Sequence, residues 1–268
     1  MDKLWILLVC TILLHCGQRE LQWISEKDVH ALQFAGTNPY QVFNLKQVTD
    51  ITKSIAVKTY AMNSGFELYY FLESGDSAKV NVYLFDSELN AFGAFKYMGG
   101  DLHDRGAPLK WFKNALFDFK IDLKERYTKE LHSFSKNFPS VNVPVAYQYF
   151  PIQSRIKDSE AMSTQGVCGM FPLESFISID YLVEGETTTL AKSVASVPKV
   201  EFDSYIEKVQ PIDTQKIDEF TMFLVEVSGG SVWVSYADSR VIAVFGASSL
   251  KKSLYFLKKS LNIQKILN

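Results

Sequence analysis

The chain has 268 residues, 47% of them hydrophobic and 14% aromatic, which supports a globular fold with a sizeable core and excludes a disordered chain. With 28 basic against 30 acidic residues the net charge is -2, so no long-range field recommends nucleic acid or an anionic surface as a partner. Three cysteines, Cys10, Cys16 and Cys168, make no disulfide framework.

At the N-terminus, Lys3 supplies one cation and Leu4 to Leu14 is uncharged and rich in Leu, Ile and Val. A membrane-crossing helix needs roughly 20 apolar residues, so this stretch is too short to span and suits the apolar region of a secretory signal. Gln18, Arg19 and Glu20 break it at once. Leu13 lies three before Cys16 and the chain continues Cys16-Gly17, the order of a lipoprotein signal; His15 departs from it, standing where Gly, Ala or Ser is usual. Residues 1–15 are therefore expected to be removed, Cys16 to carry the lipid and 16–29 to form a tether. A conventional signal releasing a soluble periplasmic or secreted protein is the alternative. After the leader the longest apolar run, near Val241 to Ala247, is far too short to span.

The runs Tyr40–Leu45, Ser54–Met62, Phe66–Glu73 and Lys79–Phe85 are rich in Val, Tyr and Phe, and read as strands bounded by turns at Asn63-Ser64-Gly65 and Gly75-Asp76-Ser77. Ser87 to Met98 changes period: Asp86 or Ser87 caps it, Leu89, Phe92 and Phe95 share a helical face, and Gly93 inside it points to a close neighbour. Leu109 to Asp122 reads as a hairpin turning at Lys113-Asn114-Ala115. An amphipathic helix follows, with Leu123, Tyr127, Leu131, Phe134 and Phe138 on one stripe, stopped by Pro139.

From Pro139 to about Ser178 prolines mark a seam. Beyond it, Phe220 to Tyr236 reads as two alternating strands joined by a Gly229-Gly230 turn, and a turn at Ala237-Asp238-Ser239 leads into Arg240–Gly246. Ser248 or Ser249 then caps a last helix with Leu250, Leu254, Leu257 and Leu261 inward and Lys251, Lys252, Lys258 and Lys259 on a solvated face. The pattern predicts an α+β protein with antiparallel sheets in two similar halves, 30–150 and 151–268, each ending in a hairpin-then-helix unit.

The stretch "YYFLESGDSAKVNVYLFDSELNAFGAFKYM", then "LKWFKNALFDFKI", a helix and "MFPLESFISIDYLVEGE", resembles an uncharacterised family of exported bacterial proteins, domain-of-unknown-function lipoproteins. The likeness is carried by Ala91-Phe92-Gly93, Phe171-Pro172 and Ile179-Asp180-Tyr181, and it implies bacterial export and an α+β fold without any catalytic residue.

Chemistry is sparse. His30, His103 and His132 are not spaced with one another or with Cys as metal ligands, so neither metal nor cofactor is expected. Cys168, between glycines in "TQGVCGMFP", has no evident partner and reads as a small hydrophobe. The best candidate site is the loop "GGDLHDRGAP", where His103 would act as general base, Asp101 or Asp104 would orient it and Arg105 would hold an anion; its plain alternative is an exposed polar turn. The chain thus reads as an exported, lipid-anchored envelope protein that binds an unknown protein or small ligand without catalysis. An envelope hydrolase or isomerase using the loop around His103 is the competing reading.

Overall fold

A computed structural model describes residues 23–32, 41–44, 51–71, 77–103, 107–120 and 143–259, except 218, 229, 248, 250 and 257. The protein is α+β and mostly sheet, with two antiparallel sheets. In chain order the first region holds α1 (Glu26–His30), β1 (Gln41–Asn44), α2 (Ile51–Thr59), β2 (Met62–Phe71), β3 (Ser77–Phe85), α3 (Glu88–Tyr97), β4 (Leu109–Phe112) and β5 (Ala115–Lys120). After a 3-10 turn at Val145–Tyr149 come β6 (Ala161–Ser163), β7 (Phe176–Val183), β8 (Glu186–Ser193), α4 (Lys199–Val209), β9 (Asp213–Ile217), β10 (Phe220–Val227), β11 (Gly230–Ala237) and β12 (Arg240–Phe245). The five-stranded sheet runs β1-β2-β3-β5-β4 and the seven-stranded sheet β6-β7-β8-β12-β11-β10-β9.

Period-two alternation divides each sheet into two apolar faces. Phe66, Leu68, Val80, Val82, Phe117 and Phe119 form one cluster with Ile24 and Val29 on the outer side of the first sheet. Phe176, Ala191, Val232, Val234 and Val241 meet Phe202 and Ile206 of α4 on the outer side of the second. Between the sheets, Tyr83, Phe85, Trp111 and Leu116 share a single cluster with Ile177, Ile179, Leu190, Trp233 and Ile242. Helix α3 supplies the middle of that layer: Ala91, Phe92, Ala94 and Phe95 are all buried, and Phe92 meets Trp111 and Tyr147 edge-on at 5.0 and 5.3 Å. Its start is fixed as the sequence predicts, with Ser87 Oγ accepting from the Asn90 amide at 3.0 Å.

The strand expected over Ser54–Met62 is helix instead. Lys53, Ala56 and Tyr60 fall at helical spacing, so one face offers a cation, a buried methyl and a buried ring to the inner layer, which outweighs the β propensity of Ile and Val. Asn63-Ser64-Gly65 is not a turn; β2 already runs through it, with a bulge between Met62 and Ser64. The hairpin at Lys113-Asn114 forms as expected, and Asn114 does more than turn the chain. Its amide oxygen accepts from Ile24 N–H at 2.9 Å and its amino group donates to Ile24 C=O at 3.0 Å, pinning residues 24–29 of the stretch read as a tether. In the second region Val227 pairs with Gly230, one position from the expected turn; this register keeps Met222, Leu224 and Trp233 inward. The turn at Asp238 and Ser239 has positive φ at both, 50° and 59°.

Residues 251–256 and 258–259 are helical, with Ser249 Oγ accepting from the Lys252 amide at 3.3 Å. Phe256, fully buried against Tyr181, carries the packing with Leu254, while Leu250, Leu257 and Leu261 lie outside the described residues. Lys251, Lys258 and Lys259 are exposed, but the Lys252 side chain is only 15% exposed and reaches Glu184 and Glu186 at 3.1 and 2.9 Å. The helix expected over 123–138, with His132, and most of the turn at 75–77 also lie outside the described residues.

Gly93 has the close neighbour its presence in a helix implied: a Cβ there would overlap Tyr60 Cε1 and stand 2.8 Å from Tyr60 Cδ1 and 3.1 Å from Met162 Sδ. Gly93→Ala is expected to destabilise the protein by about 1–3 kcal/mol through overpacking, despite a gain of about 1 kcal/mol in helix propensity. Urea unfolding measures this, and Tyr60→Leu in the same chain should recover part of the loss.

Candidate functional site

The loop after α3 docks on the second region. Asp101 Oδ1 accepts from the His103 backbone N–H at 2.7 Å, so it shapes the turn and does not orient the imidazole. The ring meets Asp158 instead, Nε2 to Oδ1 3.1 Å, and Lys96 Nζ donates to Asp158 C=O at 2.9 Å. His103 remains 53% exposed, so the pair lies at the rim of the joint and not in a closed cleft. Asp104 and Arg105 lie outside the described residues. The Asp158 partner, far along the chain, has no signal in the sequence.

Cys168 and Gly169 occupy the tip of a tight hairpin closed by Val167 and Met170, both with positive φ (48° and 79°). The thiol is exposed, not packed away, which corrects its reading as a buried hydrophobe: the turn geometry holds it out. Partial burial still pushes its pKa up, away from the thiolate a nucleophile needs.

A polar row on the inner face of the first sheet was not singled out from the sequence. Glu67, Asn81 and Asp118 stand side by side on β2, β3 and β5. Lys53 of α2 and Lys120 both reach Asp118 Oδ2, at 2.6 and 2.9 Å, while Lys79 and the Tyr69 hydroxyl both hold Glu67. Burial raises the Glu67 pKa, but the Lys79 and Tyr69 contacts outweigh it and the net shift is downward. Asn81 is 8% exposed; its amino group makes only a long bond of 3.4 Å to the Tyr83 hydroxyl, and its Oδ1 is buried with no partner. The signal available in the sequence was polar residues at alternate positions on three adjacent strands, visible only once the strand order is known.

Two further polar groups sit in the inner layer of the second sheet. Arg155 donates to the carbonyls of Tyr147 and Phe150, each at 3.1 Å, and so closes the 3-10 turn. Lys192, 4% exposed, lies between Ile177 and Ile242 on the face of Leu190. Burial first, then the Arg240 charge, pushes its amine down to about 8 from the usual 10.5, with Asp238 acting the other way.

Among the described residues no group of three or more His, Cys, Asp or Glu could hold a metal ion, and no helix is long and apolar enough to cross a membrane. Fold and sites together define an α+β protein of two packed antiparallel sheets with polar groups enclosed near their joint. No protein-family model matches the chain, and neither does a curated protein or a solved structure.

Lys192 makes stability depend on pH. The folded amine releases its proton near 8 and the unfolded one near 10.5, so unfolding takes up a proton in between and stability rises with pH across that window. Below it the charged amine imposes the full penalty, on the order of 3 kcal/mol. Lys192→Met should be more stable than wild type at pH 7 and lose the rise between pH 8 and 10, as followed by urea unfolding at each pH.

Proposed function

We propose that the protein is an exported, lipid-anchored envelope protein that binds a small ligand or a protein partner without catalysing a reaction. Export is supported by the uncharged Leu4–Leu14 stretch and the polar break after Cys16, and by the resemblance to exported bacterial proteins carried by Ala91-Phe92-Gly93 and Phe171-Pro172. Two or three acyl chains on Cys16, at about 0.8 kcal/mol per buried methylene, would hold the chain on a membrane durably. The observation that carries the non-catalytic reading is the engagement of His103 with Asp158 at the joint, which gives the imidazole a structural task.

Two similar halves belong to the same reading. In support, β2-β3-α3-β4-β5 and β7-β8-α4-β11-β12 share one plan: a hairpin, a helix, and a second hairpin whose last strand returns beside the first hairpin. The β9–β10 pair would then be an insertion at the edge of the second sheet. A hydrolase or isomerase is the competing function, favoured only by the 3.1 Å approach of His103 to a carboxylate.

Cys16→Ala is expected to move the protein from the membrane to the soluble fraction; retention on the membrane would remove acylation at Cys16 as the anchor. His103→Ala is expected to lower stability by no more than about 1 kcal/mol, the scale of an exposed ion pair. It should leave ligand-induced thermal shifts intact; loss of a hydrolytic activity in that variant would favour the enzyme.

A further inference from the structure

Very little polypeptide joins the lipid proposed on Cys16 to the folded chain. The fold takes hold at Ile24: its N–H donates to Asn114 Oδ1 at 2.9 Å, its C=O accepts from Asn114 Nδ2 at 3.0 Å, and its side chain is buried in the outer cluster of the first sheet. Trp23, one position earlier, is 54% exposed. It stands seven positions after Cys16, and an extended chain covers at most about 3.6 Å per residue, so Trp23 lies within about 25 Å of the acylated residue whatever path the chain takes between them. A domain of this size is about 45 Å across. The connection is therefore shorter than the fold is wide, and it keeps the end of the first sheet that carries Ile24 and the Lys113-Asn114 turn at the membrane.

We propose that this end of the first sheet is a membrane-contact surface, with the Trp23 ring lodged at the lipid–water interface of the bilayer that holds the Cys16 lipid. The proposal rests on the acylation proposed above and adds to it which face of the fold the membrane meets. The short connection selects lipid as the occupant, because it turns the weak insertion of one ring into an intramolecular event at high effective concentration. An indole, with an apolar body and a single N–H, is the side chain that settles at headgroup level. The two hydrogen bonds at Ile24 fix the backbone beside the ring and leave it outward, whereas Trp111 and Trp233, 7% and 8% exposed, belong to the layer between the sheets. The carboxylates nearest along the chain do not oppose the contact as unpartnered groups: Asp28 closes a capping box with Ser25, and Glu26 accepts from Ser64 Oγ at 2.5 Å.

The chain purified from membranes is reconstituted into phosphatidylcholine vesicles with or without bromine on the acyl chains, and tryptophan emission is read on the vesicle-bound protein. Trp5 leaves with the leader, so three tryptophans remain and Trp23 is the exposed one. Brominated lipid is expected to remove the share of emission that comes from Trp23, and Trp23→Phe should sediment equally with vesicles and show no such loss. Full emission on brominated vesicles, or an equal loss in Trp23→Phe, would overturn the contact. Iodide in the aqueous phase gives a reading that needs no change at Trp23: it should quench the soluble Cys16→Ala chain more than the acylated chain on vesicles, and equal quenching would count against the contact just as firmly. A chain that does not sediment with vesicles removes the acylation and the contact with it, whereas sedimentation without quenching by bromine removes the contact alone.

Discussion

Everything between the two sheets depends on how closely α3 and α2 approach at Gly93. The Tyr60 ring occupies the space a side chain would take there, and its hydroxyl donates to the Met162 carbonyl of β6 at 2.8 Å. Burial lifts the Tyr60 pKa to about 12, so the hydroxyl stays a donor under ordinary conditions. Tyr147 repeats the device from the 3-10 turn, donating to Ala161 C=O at 2.6 Å, and Thr164 Oγ1 donates to Thr59 C=O at 3.0 Å. An edge strand of the second sheet is thus held by side chains of the first region and of the connection. Missing side-chain atoms at one residue let two sheets share one core.

That shared core explains where polar groups have gone. In the second sheet the inner layer is apolar over most of its area, and among the described residues the exceptions are costly: Lys192 without a salt bridge, Arg155 Nε and Thr188 Oγ1 without hydrogen-bond partners. Arg155 has a clear structural return in the closed turn. In the first sheet, by contrast, Lys53, Lys79 and Lys120 meet the carboxylates of Asp118 and Glu67, and among the described residues the Asn81 amide oxygen is left over. Charges that meet opposite charges are compatible with a packed sheet, whereas the Lys192 ammonium in an apolar layer is a pH-dependent weakness.

His103 shows the same economy in a different place. The sequence made its loop the leading candidate for chemistry because a base, two carboxylates and a guanidinium fall together between glycines. In the fold Asp101 shapes the backbone, and Asp158 from within the seam takes the imidazole. A local cluster of reactive residue types was therefore a poor guide, since hydrogen bonding within a turn uses the same side chains as acid–base chemistry does.

What the sequence settled by itself were features that depend on neighbours close along the chain. The α+β class, the Ser87 cap, the β4–β5 and β11–β12 turns, the helix of residues 88–97 and the intrusion at Gly93 follow from local hydrogen bonding, period and backbone freedom. Tertiary structure decided the rest. Residues 51–59 became helix because Lys53 and Tyr60 had partners at Asp118 and Met162, and those partners exist only after the strands have assembled. The row at Asn81 exists for the same reason: alternation tells which residues share a face within a strand, but strand order and register decide which faces meet, and these are fixed by burial across the whole chain.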